Sequence, residues 1–214
     1  MVKIVAISDT HMAHRDLYRL VKGDILVHCG DLTHRGRSHE YADVLEFFRL
    51  HCARYKHVIF IAGNHDFGCK EYMDNMLQCG MFPDNLHYLH NESKEIMGIK
   101  FFGSPNTPPF YDWAYMSNEG ELSNIYSLIP KDTQVLITHG PAFGILDVES
   151  RNGEHCGSTS LLRAIVDLDN LKHHLFGHIH ASNGQQESQN VTFSNCSVLD
   201  DNYDMKFKPT VIKV

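Results

Sequence analysis

The stretch HVIFIAGNHD, residues 57–66, is an apolar run that ends in a glycine followed by polar side chains. Two earlier stretches are also apolar runs followed by polar side chains, VKIVAISDTH at residues 2–11 and GDILVHCGD at residues 23–31, the second with a glycine at the same point. Apolar runs of this length, bounded by glycine and polar residues, are typical of buried strands. Residues 38–54, between the second and third runs, repeat apolar side chains at helical spacing. This alternation of strand and helix predicts a parallel sheet covered by helices.

Apolar runs and helical spacing predict further strands and helices along the rest of the chain, and a second sheet is expected after the first. The predicted strands are Val2–Ser8, Asp24–Cys29, His57–Ala62, Leu86–Leu89, Glu95–Met97, Lys100–Phe102, Val135–Thr138, His174–Phe176, Val191–Ser197 and Lys208–Val214. The predicted helices are Asp16–Lys22, Ser38–Arg54, Glu71–Cys79, Glu119–Leu128 and Leu161–Leu168. The last two strands are expected to close the second sheet. Because no repeat or linker-like change of composition interrupts the chain, we expect residues 1–214 to form a single domain.

Composition is that of a soluble globular protein, with 43% hydrophobic and 21% charged residues. No apolar run reaches the roughly 18–20 residues of a membrane helix, and the first strand does not resemble a signal peptide. We therefore expect a cytoplasmic protein with no membrane partner. The formal net charge of −7 disfavours duplex nucleic acid as a partner, which calls for a basic surface. The 16 histidines point to a metal site.

Side chains of the kinds that bind metals follow five of the predicted strands. Residues after the carboxyl ends of strands gather at one edge of an α/β sheet, so these side chains are expected to converge. A mixed oxygen and nitrogen set suits Mn, Fe, Zn, Ni or Co. Seven ligands fit two ions that share a carboxylate, an arrangement suited to displacement at phosphorus. The glycines before three of them are predicted to allow tight turns. The candidate ligands are Asp9, His11, Asp31, Asn64, His139, His178 and His180.

These ligands fall into short motifs: Asp9-x-His11, Gly30-Asp31, Gly63-Asn64-His65-Asp66, His139 and Gly177-His178-x-His180. In this order they resemble the signature of the calcineurin-like metallophosphoesterase superfamily. The stretches GDILVHCGDLT, GSPNTPPFYDWA, THGPAFGILD and LFGHIH resemble its class III-type phosphodiesterase branch, which includes the fetal-brain metallophosphoesterase proteins. The resemblance implies an α/β protein with the metallo-dependent phosphatase fold, a four-layer α-β-β-α sandwich of two mixed sheets.

The resemblance also implies roles for the motif residues. Two divalent transition ions are implied, with Mn the favoured metal, and a hydroxide between them would attack phosphorus. His65 would protonate the leaving group and Asp66 would orient His65. Asp31 would bridge the two ions. The remaining ligands would divide into one set of Asp9, His11 and His180 and a second set of Asn64, His139 and His178.

Substrate contacts are sought in the loops beside these motifs. His14 and His34 each lie three residues after a candidate ligand and are candidate contacts, although loop residues beside a site are often spacers. Phe110, Tyr111 and Trp113 form a candidate wall for a nucleobase, with Trp113 the named contact. The alternative for these three is an aromatic cluster that packs a long loop.

The favoured function is a metal-dependent phosphodiesterase acting on a small phosphorylated substrate, a cyclic or linear nucleotide. A phosphomonoesterase acting on nucleoside monophosphates or phosphoproteins is the first alternative, since the same ligands serve both reactions. A non-catalytic binding scaffold is the second, and it ranks last because every ligand and His65 are retained. We expect loops 103–117 and 143–160 to decide between diesters and monoesters, and the oligomeric state is left open.

Overall fold

The computed structural model describes residues 1–17 and 19–214, which form two mixed sheets flanked by helices. The strands are β1 Lys3–Ile7, β2 Ile25–His28, β3 His57–Phe60, β4 Leu86–Tyr88, β5 Glu92–Ile96, β6 Ile99–Ser104, β7 Val135–Thr138, β8 His173–Phe176, β9 Gly184–Ser188, β10 Val191–Asn195 and β11 Thr210–Lys213. The α-helices are α1 Ser38–Cys52, α2 Cys69–Gln78, α3 Glu119–Tyr126 and α4 Thr159–Val166. Among the described residues, no helix is long and apolar enough to cross a bilayer.

The first sheet has the strand order β11-β1-β2-β3-β4, with β1 to β4 parallel and β11 antiparallel to β1. The prediction that Lys208–Val214 closes the second sheet is therefore wrong. The chain end covers the open edge of β1, where Val2 and Val214 exchange backbone hydrogen bonds of 2.8 and 3.0 Å. Ile212 pairs with Ile4 and packs between the two sheets, so its burial selects the first sheet.

The second sheet has the order β5-β6-β7-β8-β10-β9, with parallel strands in the middle and an antiparallel hairpin at each edge. The predicted strands Glu95–Met97 and Lys100–Phe102 correspond to β5 and β6, which form a hairpin with Ile96 paired to Ile99. Strand β9 was not predicted, because its sequence GQQES is polar on both faces. It is an exposed edge strand whose pairing with β10, rather than hydrophobic burial, defines it.

Three apolar layers hold four structural layers together, which confirms the expected α-β-β-α sandwich. Helix α1 packs through Tyr41, Val44 and Phe48 on the outer face of the first sheet. Helices α3 and α4 pack on the outer face of the second sheet in the same way. The inward faces of β1, β2, β6 and β7 form the layer between the sheets. Parallel strands buried on both faces explain the continuous apolar runs in the sequence.

One predicted helix differs from the structure. In place of Asp16–Lys22, the chain forms a short 3-10 helix at Ala13–Leu17, and part of the prediction falls on residue 18, outside the described residues. Leu17 and Leu20 are buried in the outer core of the first sheet. Seven residues are too few to sustain an isolated α-helix, so packing of these leucines decides the local form.

Candidate metal centre

The side chains that follow β1, β2, β3, β7 and β8 meet at the carboxyl edges of the two sheets. His180 Nε2 lies 3.6 Å from an oxygen of Asp9. His139 Nε2 lies 2.9 Å from Oδ1 of Asn64, and the His178 ring centroid is 5.0 Å from that of His139. With the contacts of His11 and Asp31 given below, the structure brings all seven candidate ligands together.

Asp31 lies at the middle of this cluster, with its two oxygens facing different histidines. Oδ2 is 3.5 Å from Nε2 of His11, and Oδ1 is 3.4 Å from Nε2 of His139. Potential ligand atoms within 4.8 Å of one another form the groups Asp9–His11–His180 and Asp9–Asp31–His139, as well as His11–Asp31–His65. Asp31 therefore lies between two imidazoles, with one carboxylate oxygen toward each.

His11 tests whether this cluster fits a metal. His11 is only 3% exposed, and neither nitrogen of its ring has a hydrogen-bond partner among the described residues. Buried polar atoms are nearly always satisfied by protein or water, so an unpartnered buried imidazole calls for a ligand. The surrounding carboxylate, amide and imidazole groups are donors that divalent transition ions accept. The residues therefore fit a metal ion.

Backbone carbonyls fix the orientation of two ligand histidines. His139 Nδ1 donates to the carbonyl of Cys29, and His180 Nδ1 donates to the carbonyl of Asp200, each at 3.0 Å. Each bond leaves Nε2 directed toward the cluster, as is usual for metal-bound histidine. The contact from Asp200 was not found from the sequence, because any residue offers a carbonyl and the loop after β10 carries no motif.

The backbone at four candidate ligands is strained. Asp9, His11, Asp31 and His178 have positive φ values of 56°, 38°, 56° and 70°. Side-chain-bearing residues rarely adopt this conformation, which costs on the order of 1–3 kcal/mol each and clusters at functional sites. All four lie within four positions of the end of a strand, where the chain turns sharply and directs their side chains into the centre.

Two glycines allow the backbone to approach the carboxylates. A Cβ on Gly63 would overlap Oδ1 of Asp31 and lie 2.7 Å from the ring of His139. A Cβ on Gly177 would overlap the carboxylate of Asp9. The carbonyls of Gly63 and Gly177 accept from the backbone of Asp66 and Ile179, at 3.0 and 2.8 Å, so the chain turns at both, as predicted. Neither has a positive φ, so it is the close approach that requires glycine here. The turn interpretation holds for Gly30, whose φ is 99°.

The two carboxylates are ionised despite complete burial. Burial raises the pKa of Asp9, but the hydrogen bond and charge of His180 outweigh it and hold that pKa well below its usual range. Burial likewise opposes ionisation of Asp31, and the charges of His139 and His11 lower its pKa well below the ordinary value. Ionised carboxylates are the form that binds cations, so Asp9 and Asp31 are both in the form that a metal ligand requires.

The histidines divide into two electrostatic groups. Burial lowers the pKa of His11 to about 4 and that of His178 to about 3. For His139 and His180 burial also acts downward, but the carboxylates of Asp31 and Asp9 respectively outweigh it and raise each pKa to about 9. Each raised value reflects a carboxylate in contact, which is the pairing that a cation would replace.

His65 lies beside the centre with its ring held on three sides. Its Nδ1 donates to the carbonyl of His34 at 3.0 Å, and its ring is 4.5 Å from that of His11. Trp113 stacks on it with centroids 4.1 Å apart and planes 26° apart. The guanidinium of Arg35 lies 4.7 Å from the Trp113 ring. Trp113, predicted as a substrate contact, is thus placed against His65.

Asp66 has contacts that differ from its predicted role. The carboxylate is fully buried and accepts hydrogen bonds from the backbone of Leu32, Thr33 and Gly63 and from the Thr33 hydroxyl, at 2.7 to 3.1 Å. None of the hydrogen bonds described for Asp66 reaches the ring of His65. Asp66 instead joins the loop after β2 to the loop after β3, and so holds Asp31 and Asn64 in register.

The two histidines predicted to touch substrate occupy different positions. His14 is buried, with Nε2 3.3 Å from Asp43 and its ring 5.1 Å from that of Phe47, so it packs against α1. His34 is exposed, and its ring is stacked 6.3 Å from that of His11. Of this pair, His34 is the one that borders the centre.

Tyr203 is a neighbour of the centre that the sequence did not reveal. Its ring centroid is 4.9 Å from His11 and 5.4 Å from His180, and the residue is 50% exposed. It has a φ of 63° in an irregular loop between β10 and β11. That loop has no periodicity from which the placement of Tyr203 beside the metal ligands could be predicted.

A cleft of about 650 Å³ opens beside the centre. Its lining includes His178 and His180 at one end and the exposed rings of Phe110 and Tyr111. The charged groups that line it are Glu149, Arg151, Glu154 and Asp201, with His155 among them. A substrate with a ring and polar groups fits a lining of this kind.

A four-layer sandwich with a carboxylate–imidazole cluster at its strand ends defines a metal-binding α/β protein. The chain belongs to the calcineurin-like phosphoesterase family, whose model matches residues 2–182. Membership identifies it as a phosphoric ester hydrolase and implies a centre of two divalent metals.

Individual proteins are similar over most of the chain. Metallophosphoesterase domain-containing protein 1 of Homo sapiens is 31% identical over 231 aligned positions, which cover 98% of this chain and 70% of that protein. A UPF0046 protein of Caenorhabditis elegans is 31% identical over 228 positions, which cover 100% of this chain and 75% of that protein. The solved structure of TT1561 of Thermus thermophilus has the same fold, with a TM-score of 0.65 at 16% identity over 91% of this chain and 88% of that one.

Proposed function

We propose that this protein hydrolyses small nucleotide-type phosphodiesters, cyclic or linear, with two divalent ions of which Mn²⁺ is favoured. The observation that carries the proposal is the position of Asp31, with one oxygen toward His11 and the other toward His139. Sites of two metals suit in-line displacement at phosphorus. We further propose that residues 1–214 act as one domain in the cytoplasm, where the six free cysteines suit a reducing compartment.

The proposed ligands divide between the two ions, with Asp31 bridging. When bound, the ions supply positive charge to the phosphoryl oxygens and activate water for attack on phosphorus. The chain's own part is to hold that charge at fixed positions through strained strand ends and oriented imidazoles. One set is Asp9, His11 and His180, and the other is Asn64, His139 and His178.

His65 is proposed as the general acid. Since its Nδ1 donates to the carbonyl of His34, Nε2 is the atom left to deliver a proton to the leaving oxygen. Trp113 keeps the ring in that orientation by stacking on it. Asp66 acts one step further away by fixing the loop on which His65 lies. His34 borders the centre and is kept as a proposed substrate contact, whereas buried His14 is not.

The charge of the cleft supports diesters over monoesters. Three carboxylates, from Glu149, Glu154 and Asp201, line it together with one guanidinium, from Arg151. A phosphomonoester carries close to two negative charges at neutral pH, whereas a diester carries one, so the acidic lining repels a monoester more strongly. The exposed rings of Phe110 and Tyr111 offer surfaces on which a nucleobase stacks.

A substrate panel with Mn²⁺ tests the proposal. It contains an aryl phosphodiester, its monoester, 2′,3′- and 3′,5′-cyclic nucleotides and 5′-nucleotides. We expect kcat/KM for the diesters to exceed that for the matched monoesters. The reverse preference would favour the phosphomonoesterase, and no turnover by a protein that binds metal would favour a binding scaffold.

A further inference from the structure

The loop between β7 and α4 folds back on itself beside the cleft. Val148 and His155 pair as an antiparallel bridge, and the backbone of Glu149 donates to Glu154 at 3.0 Å. The backbone of Cys156 donates to the carbonyl of Asp147 at 3.0 Å. This short ribbon therefore places Asp147 and His155, eight positions apart, next to each other.

The carboxylate of Asp147 is fully buried and uses its two oxygens differently. Oδ2 accepts hydrogen bonds from the backbone of Gly144 at 2.9 Å and Gly157 at 3.1 Å. Oδ1 accepts a hydrogen bond from Nδ1 of His155 at 2.7 Å. Because the loop backbone occupies Oδ2, Oδ1 is the oxygen that fixes the imidazole.

His155 lines the cleft with a ring that is half exposed. Its side chain is 47% exposed and lines the cleft that also contains His178 and His180. With Nδ1 bonded to Asp147, the edge that carries Nε2 is free for another partner. The ring therefore stands half in solvent, although the carboxylate that holds it is fully buried.

The ribbon is also fixed relative to the metal ligands. The hydroxyl of Ser182 donates to the carbonyl of Val148 at 2.9 Å. Ser182 ends the 3-10 helix that begins at His180, and Ser150 is hydrogen-bonded to Asp201 in the loop that carries Tyr203. The imidazole thus has a defined position relative to the phosphoryl group that the centre would hold.

We propose that His155 is a specificity-determining residue that contacts, through Nε2, the organic group of the diester that is not the leaving group, with Asp147 as its positioning residue. This inference rests on the proposed phosphoesterase function. In the tautomer that donates Nδ1–H to Asp147, Nε2 is the nitrogen that accepts a hydrogen bond. The nearby carboxylates of Glu149 and Glu154 also favour hydrogen-bond donors. The contacted group is therefore a hydroxyl or N–H, such as a nucleoside carries.

Two diesters with the same leaving group test the contact. The p-nitrophenyl ester of thymidine 5′-phosphate carries a nucleoside, and methyl p-nitrophenyl phosphate carries only a methyl group. For His155→Ala we expect kcat/KM on the thymidine ester to fall about 5–30-fold, mainly through KM, with the methyl ester changed less than about twofold. Asp147→Asn should also lower kcat/KM on the thymidine ester more than on the methyl ester. His39→Ala, an exposed histidine on α1, is the matched control.

The outcomes separate this inference from the function on which it rests. Equal losses on both esters, or none, would overturn the contact while leaving the phosphoesterase function intact. If the Mn²⁺-loaded wild type hydrolyses neither ester, calorimetric binding of thymidine 5′-monophosphate decides the contact. Binding about tenfold weaker in His155→Ala than in His39→Ala supports it. Equal binding by the two variants overturns it.

Discussion

The indole of Trp113 lies flat on the imidazole of His65, with the ring centroids 4.1 Å apart. Trp113 comes from the proline-bearing loop after β6, and His65 from the loop after β3, so the contact joins the two sheets. The backbone of Ala114 strengthens the junction by donating to the carbonyl of Asn64 at 3.0 Å. The long loop therefore supports the general-acid candidate from outside the metal cluster.

Replacing Trp113 should weaken the action of His65 without removing metal. For Trp113→Leu we expect kcat to fall by about tenfold on a substrate with a ribose hydroxyl as leaving group, because the ring loses its support. Steady-state kinetics and elemental analysis of the same preparation measure this. Tyr111→Leu, an exposed ring on the same loop, is the control for loop effects. A loss of bound metal in Trp113→Leu would assign Trp113 to the metal centre instead.

Removing the imidazole itself should have a larger effect. His65→Ala should lower kcat by roughly 10²–10⁴-fold on a substrate with a poor leaving group. An aryl leaving group needs little protonation, so the fall in kcat on an aryl substrate should be smaller. Kinetics on an alkyl and an aryl diester give the comparison. Equal losses on both substrates would mean that His65 acts other than as the acid.

Asp66 should prove to be a structural residue. Its four donors are buried, so Asp66→Ala leaves them unsatisfied and should lower the free energy of unfolding by about 2–4 kcal/mol. Denaturant titration in chelator measures this without bound metal, with exposed Asp169→Ala as the control. Unchanged stability, together with lost turnover, would restore the role of orienting His65.

Glu119 should make the packing of α3 on α4 sensitive to acid. Its carboxylate accepts from the backbone of Ser160 at 2.7 Å and Thr159 at 3.2 Å and from the hydroxyl of Ser158 at 3.1 Å. Burial raises the pKa of Glu119, but the bonds from Ser160 outweigh it, so the net pKa is lowered.

Because the folded pKa of Glu119 lies below the unfolded one, its contribution is complete above the unfolded pKa and is lost as pH falls through the folded value. We expect Glu119→Gln to cost about 1 kcal/mol at pH 7 and less in acid. Unfolding free energies at pH 7 and pH 3 test this, with exposed Glu187→Gln as the control. If Glu119→Gln lowers the free energy of unfolding equally at pH 7 and pH 3, the charge of Glu119 is not responsible for the stabilisation.

The sheet edge at which the metal-binding side chains meet can be predicted from the sequence, because it depends on the regular pattern of the strands. Buried parallel strands are continuous apolar runs, and the first polar residue after each run marks the carboxyl edge. Asp9, Asp31 and His139 follow directly from this rule. The start of α4 follows a similarly regular rule, since the side chain of Ser158 accepts a hydrogen bond from the backbone of Leu161 as an N-cap.

Contacts made by irregular loops cannot be predicted from the sequence in this way. Tyr203 and the Asp147–His155 pair lie in segments without periodicity, where contacts depend on how loops pack. The contacts of Asp66 with the loop after β2 were not predicted, because its position beside His65 in sequence does not reveal which loop its carboxylate binds. Strand β9 has no hydrophobic face, so the alternation that predicts a strand is absent from its sequence.

Metal content is the most direct test of a centre of two ions bridged by Asp31. After reconstitution with Mn²⁺, elemental analysis of the wild type should approach two ions per chain. Asp31→Ala should lose at least one ion and stay inactive at high Mn²⁺, whereas His139→Ala should recover part of its activity by mass action. Saturation of the wild type at a single ion with full activity, or rescue of Asp31→Ala as readily as His139→Ala, would contradict the bridged centre.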